Sequence, residues 1–176
     1  MKLKLKKEKK MLLKKVRLSF PSLFTPTSFQ GEGEKKFEAT FLVEKGSANH
    51  KMLEAEIEKL LTDDLKGIKL PSDKICLKDG DEKAYDGYEG HMFIKAASKK
   101  RVSVVDQDKT PLTEDDEKIY GGCYVNAIID LWAQNNQYGK RINAGLRGVQ
   151  FDSHGDSFSG SSAARDDEFV DYEPEF

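Results

Sequence analysis

The chain has 176 residues, 38% of them hydrophobic and 10% aromatic, enough apolar material for one sizeable core, so a single domain with tails is expected. No run reaches the roughly 18 uncharged apolar residues of a membrane helix, and the basic start lacks the apolar stretch of a secretory signal, which points to a soluble, intracellular protein. The formal net charge of −2 conceals opposed ends: residues 1–17 sum to +8, residues 166–176 to −6, and −4 is left to residues 18–165. A mildly acidic body does not announce nucleic acid, so any such site has to come from local clusters of Lys and Arg.

In chain order, residues 1–10 alternate Lys and Leu briefly before becoming KKEKK, which reads as a flexible basic arm. LLKKVRLS at 12–19 suits a first strand, and Pro21 and Pro26 in FPSLFTP break regular structure after it. Residues 27–35, with Gly31 and Gly33, look like a turn. Phe37, Ala39, Phe41 and Val43 then alternate with Lys36, Glu38, Thr40 and Leu42, the period-two signature of a half-buried strand. Residues 48–66 change period: Leu53, Ile57, Leu60 and Leu61 fall at i, i+4, i+7 and i+8, an amphipathic helix closed by Gly67 and Pro71.

A short strand over 75–77 follows, then the polar turn KDGDEKAYDGYEG, then HMFIKAAS as a strand ending in Lys99, Lys100 and Arg101. Residues 102–105 resume pairing before a loop over 106–118. Gly121 and Gly122 open CYVNAIIDLWA, in which Cys123, Val125, Ala127, Ile129 and Leu131 face one way and Tyr124, Asn126, Ile128, Asp130 and Trp132 the other. QNNQYGK at 134–140 makes a hairpin-like connection, and RINAGLRGVQF returns as the last strand, with Gly145 and Gly148 marking bends or bulges. After His154 the composition collapses into Gly, Ser, Ala and acid, where folding is expected to end. Cys76 and Cys123 sit in apolar runs and read as buried thiols in a reducing compartment. Strands outnumber the single helix, so the fold expected is mainly β, economically a small closed barrel. An open α+β sheet stays as the alternative, because periodicity does not distinguish closure from packing on the helix.

The stretches VRLSFPSLFTP, DGYEGHMFIKAASKKR, VVDQDKTPLTEDD and above all IYGGCYVNAIIDLWAQNNQYGKRINAGLRGVQF together resemble a family of tailed-phage single-stranded-DNA-binding proteins, over roughly residues 16–151. The resemblance implies a five-stranded OB-fold barrel over residues 11–152 with one inserted helix, a flexible basic leader at 1–10 and a disordered acidic tail at 153–176. It implies sequence-tolerant binding of single-stranded DNA in phage replication or recombination, in the cytoplasm of the infected host. The acidic end DDEFVDYEPEF also resembles the tails by which replication single-stranded-DNA-binding proteins recruit partner enzymes. A homodimer is left open.

Binding a single strand without base preference needs cations that follow phosphates and exposed rings on which bases stack. Lys99, Lys100 and Arg101 end one strand; Lys140 and Arg141 begin another beside Tyr138, with Arg147 extending the track. The competing reading is that Lys and Arg at strand ends are ordinary solubility features. Trp132 and Tyr124 share a phase opposite the core face and are candidates for a stacking platform, with Tyr88 and Phe93 near the first basic cluster, although an aromatic in a strand is more often core. Phe20, Phe24, Phe37 and Phe41 are assigned to packing. In the tail, Asp166, Asp167, Glu168, Asp171, Glu173 and Glu175 imitate a strip of phosphates that competes with DNA intramolecularly, and Phe169, Tyr172 and Phe176 are aromatics for partner pockets.

Other classes fit less well. Asp79, Asp81, Glu82, Asp86 and Glu89 suggest the metal ligands of a phage nuclease, but their spacing fits no calcium loop and DGD with nearby glycines makes a polar turn more simply. His50, His91 and His154 show no ligand spacing with either cysteine, and neither a Walker lysine loop nor a GxSxG elbow is present, so no metal, no cofactor and no enzymatic activity are expected. An RNA-binding or protein-interaction module remains a third class, because a barrel of this kind hosts many ligands.

Overall fold

The computed structural model describes residues 10–29 and 32–158. Within these residues, seven strands and one α-helix follow one another as β1 (Lys10–Phe29), β2 (Glu32–Glu44), α1 (Ala48–Asp63), β3 (Leu77–Asp79), β4 (His91–Ser98), β5 (Ser103–Val105), β6 (Tyr124–Asn136) and β7 (Gly139–Ser153). The sheet order is β3-β4-β2-β1-β6-β7-β5, and a parallel pairing of β4 with β7 joins the two halves. The ring β1-β2-β4-β7-β6 is therefore a closed five-stranded OB-fold barrel, and β3 and β5 are extra strands laid against β4 and β7. This settles the choice between a barrel and an open sheet in favour of closure.

The period-two patterns translate directly into the interior. Phe41 and Val43 of β2, Ile94 and Ala96 of β4, and Val125, Ala127 and Ile129 of β6 are fully buried. Helix α1 begins on Ser47, whose hydroxyl accepts the His50 N–H, and contributes buried Leu53 and Ile57. Burying such a side chain is worth about 1.5–3 kcal/mol. Its end is a left-handed turn in which Gly67, at φ +77°, donates its N–H to the Leu61 carbonyl at 2.8 Å, as the glycine suggested. No helix among the described residues is long and apolar enough to cross a membrane.

Three boundaries differ from the sequence reading. Strand β1 runs on through both prolines, because it changes partner: it pairs with β6 up to Arg17 and with β2 from Arg17 onward, through register shifts. Neither Pro21 nor Pro26 is a paired position, so the missing N–H removes no ladder bond. The turn expected over 27–35 is accordingly strand at both ends, with Phe29 paired to Glu32. At the other end the chain stays on the barrel past residue 153. The His154 ring stacks on Tyr120 at 5.8 Å, the Tyr120 hydroxyl donates to the Gly155 carbonyl, and the Phe158 N–H donates to the Gly121 carbonyl at 2.9 Å.

The bulge expected around Gly145 and Gly148 lies between them. Pairing passes from Ile128 with Gly148 to Ile129 with Leu146, leaving Arg147 as the extra residue. Both cysteines are free thiols, Cys123 buried and Cys76 half-buried; burial pushes the Cys76 thiol up to about 12.

Candidate nucleic-acid interface

Because Phe41 and Ile94 point inward, their neighbours on β2 and β4 point out and form the floor of a groove of about 980 Å³. Lys36 and Glu38 come from β2, Phe93, Lys95 and Ala97 from β4, and Lys99 from the residue just after β4. Lys74, from the helical turn Ser72–Lys74, and Lys78 of β3 add charge along one side. The opposite wall is the β6–β7 hairpin, which supplies Trp132, Tyr138 and Arg141. Six cations and three rings thus share one concavity with two acids, Glu38 and Asp73. Trp132 is 46% exposed and Tyr138 80% exposed, so both side chains are accessible to a ligand.

The groove cations are held loosely. Lys95 pairs with Glu38 at 3.3 Å and Lys99 with Glu34 at 3.1 Å, all with substantial solvent exposure. Such surface pairs contribute at most about 1 kcal/mol, so a phosphate can take the acid's place at little cost. Among the described residues the Arg141 guanidinium donates to the Asp73 carbonyl, at a long 3.4 Å. Cationic side chains that exchange partners beside flat exposed rings are what a backbone-following, base-stacking ligand requires.

The family model for the single-stranded-DNA-binding protein of Enterobacter phage Enc34 matches residues 9–175. The chain belongs to this family. Protein p50 of Acyrthosiphon pisum secondary endosymbiont phage 1 is 39% identical to this Enc34-family chain, over 92% of the chain and 93% of the relative. The Enc34 single-stranded-DNA-binding protein solved in complex with single-stranded DNA superposes with a TM-score of 0.77 at 31% identity, covering 85% of this chain and 89% of that one. The single-stranded-DNA-binding protein gp2.5 of bacteriophage T7 shares the fold, with a TM-score of 0.53 at 12% identity over 90% of this chain and 99% of that one. A family described by what it binds accords with the expectation that the chain is not an enzyme.

Of the residues singled out in the sequence, this Enc34-family barrel brings Phe93, Lys99, Trp132, Tyr138 and Arg141 together in the groove. Lys100, Arg101 and Lys140 are exposed beside groove residues but do not line it. Three lie elsewhere. Tyr88 is 2% exposed, its hydroxyl bonded to Ser19 Oγ at 2.8 Å and its ring packed on Phe93, so no base can reach its face. Tyr124 lines a second, smaller cleft with Lys14, Lys15 and Arg17. It is eight residues from Trp132 on the same strand, about 26 Å at 3.3 Å per residue, so the two rings form no single platform. Arg147 is turned by the bulge onto Asp130, with Nε 2.8 Å from Oδ1 and Nη2 3.2 Å from Oδ2. Asp130 is only 5% exposed, and this fork neutralises it.

Lys36, Lys74, Lys78 and Lys95 were missed. Lys36 and Lys95 had a signal, since each sits out of phase with its strand's core residues; Lys74 and Lys78 sit in elements too short to show a period. Phe20, assigned to packing, is 62% exposed, whereas Phe37 and Phe41 are buried and Phe24 half-buried. Among the acids considered for a nuclease, Asp79 and Asp81 grip Lys45, which holds both carboxyls below the usual range. The tail from Asp166 to Phe176 lies outside the described residues.

Proposed function

We propose that the chain binds single-stranded DNA irrespective of base order along the β2–β4 groove, and protects it during phage DNA replication and recombination in the cytoplasm of the infected bacterium. The observation that carries this is the interleaving of Trp132, Phe93 and Tyr138 with Lys36, Lys74, Lys78, Lys95, Lys99 and Arg141 on one concave face. Each base stacked on such a ring is worth about 1–3 kcal/mol, and the lysines follow the phosphates without reading sequence. The Enc34 relative solved in complex with single-stranded DNA supports the same ligand class.

The second part of the proposal concerns the tail. Six acids within residues 166–176 occupy the cationic groove when DNA is absent; once displaced, Phe169, Tyr172 and Phe176 are offered to replication or recombination proteins. Titrating labelled single-stranded DNA, duplex DNA and RNA across a salt series tests the first part. Preference for the single DNA strand supports it, and preference for RNA replaces it with the RNA-module reading; cleavage on adding magnesium would revive the nuclease. Removing residues 166–176 tests the second: affinity rises at low salt if the tail competes, and unchanged affinity rules competition out.

A further inference from the structure

The groove does not end at Phe93. The Phe93 ring packs on Tyr88 with centroids 5.4 Å apart, Tyr88 packs on Tyr85 at 5.2 Å, and Tyr85 packs on Phe20 at 5.5 Å with the planes at 73°. The middle ring is locked, buried and hydrogen-bonded to Ser19, so it fixes the outer two relative to the groove. Those outer rings are open: Phe20 is 62% and Tyr85 50% exposed. Phe20 also sits at φ +45°, a left-handed conformation that a bulky residue adopts only at a cost in free energy, and its exposed ring recovers little of that cost by packing.

We propose that Phe20 and Tyr85 form a second base-stacking step, which extends the path of single-stranded DNA out of the groove past Phe93; this rests on the groove being the DNA site. Size decides between a base and a protein partner. A large aromatic presents about 150–250 Å², so two half-exposed rings offer about 200 Å², a quarter of the roughly 800 Å² per side of a standard protein interface. One base needs only one ring face. The edge-to-face contact of Tyr85 with Phe20 leaves such a face available, and two-torsion side chains lose little entropy when a base settles on them.

Titration of full-length wild type, Phe20→Ala, Tyr85→Ala, Tyr85→Phe and Trp132→Ala with an oligo-dT ladder separates this step from the groove. Phe20→Ala and Tyr85→Ala should bind the shortest oligomers as wild type does and the longer ones about fivefold or more weakly. The salt dependence should be unchanged because no phosphate contact is lost, and Tyr85→Phe should match wild type because stacking uses the ring. Wild-type affinity of both alanine variants at every length, with Trp132→Ala weakened, would remove the second step and leave the groove standing; Trp132→Ala unaffected as well would remove the groove. Photocrosslinking of the unaltered protein to long 5-iododeoxyuridine oligomers gives an answer independent of folding. Adducts at Phe20 or Tyr85 support the step, and adducts confined to Phe93, Trp132 and Tyr138 overturn it.

Discussion

Replacing Lys95 and Lys99 with Gln removes two of the six cations that line the groove. Single-strand binding weakens with salt at a logarithmic slope of about −0.7 per phosphate contact, so six contacts give about −4 and four about −3. Between about 50 and 200 mM salt the wild type should then lose about 300-fold in affinity and the double variant about 50-fold. The side chains are 59% and 67% exposed and, among the described residues, pair with Glu38 and Glu34, so stability in urea should change by less than about 1 kcal/mol. Fluorescence anisotropy of a labelled oligo-dT across the salt range reads the slope directly. If the two proteins give parallel lines, the phosphates do not pass Lys95 and Lys99, and the assignment of this face to DNA fails.

Removing the partner of Asp130 by Arg147→Ala leaves a carboxylate that is 5% exposed without its guanidinium; a loss of about 2–4 kcal/mol in urea denaturation is expected, and a wild-type midpoint would show that solvent reaches the acid. The clasp of Lys45 on Asp79 and Asp81 predicts an acid-side transition. Because the folded carboxyls titrate below their ordinary 3.8, the stabilisation is complete above that value and disappears as pH falls through the depressed one. The Gly90 amide, which donates to Asp81 at 3.0 Å, should therefore shift in NMR spectra with a midpoint below 3.8, and a midpoint at or above it would refute the clasp. With its thiol pushed up to about 12, Cys76 carries about one thiolate in ten thousand at pH 8; iodoacetamide should label it only after unfolding, and fast labelling of the native protein would contradict its burial.

Patterns that repeat within one element were legible in the sequence. Val125 to Leu131 on β6, Phe37 to Val43 on β2 and Leu53 to Leu61 on α1 each carry enough periods to fix both the element and its buried face. Continuity across a change of partner was not: Pro21 and Pro26 weigh against a strand locally, and only the switch of β1 from β6 to β2 makes them harmless. The site divides in the same way. Trp132, Tyr138 and Arg141 are near neighbours in one hairpin, so their convergence follows from local sequence. Lys74 and Lys78 reach the groove because β3 lies against β4, and Tyr88 is removed from it because the β3–β4 loop folds over Ser19; both depend on contacts distant in sequence. Arg147 looked like another surface cation because a bulge reverses the direction expected from alternation, and Asp130 as its target was invisible without the register.

β4 and β7 meet in a single ladder position, Ala97 with Gly145, and a side chain at Gly145 would run into Asp130 Oδ1 at 2.4 Å. On one side of that rivet the segment 75–77 fills the gap between the two strands, bonded to Ile142 of β7 through Ile75 and Cys76 and to Ile94 of β4 through Leu77. On the other side β5 runs beside β7 from Ser103 to Val105. Two short inserts thus caulk the joint, and the first of them carries Lys74 and Lys78 at its flanks, so the piece that makes the wall watertight is also the piece that charges it. Excising that insert would breach the shell and strip two cations in one stroke, which ties upkeep of the wall to upkeep of the ligand face.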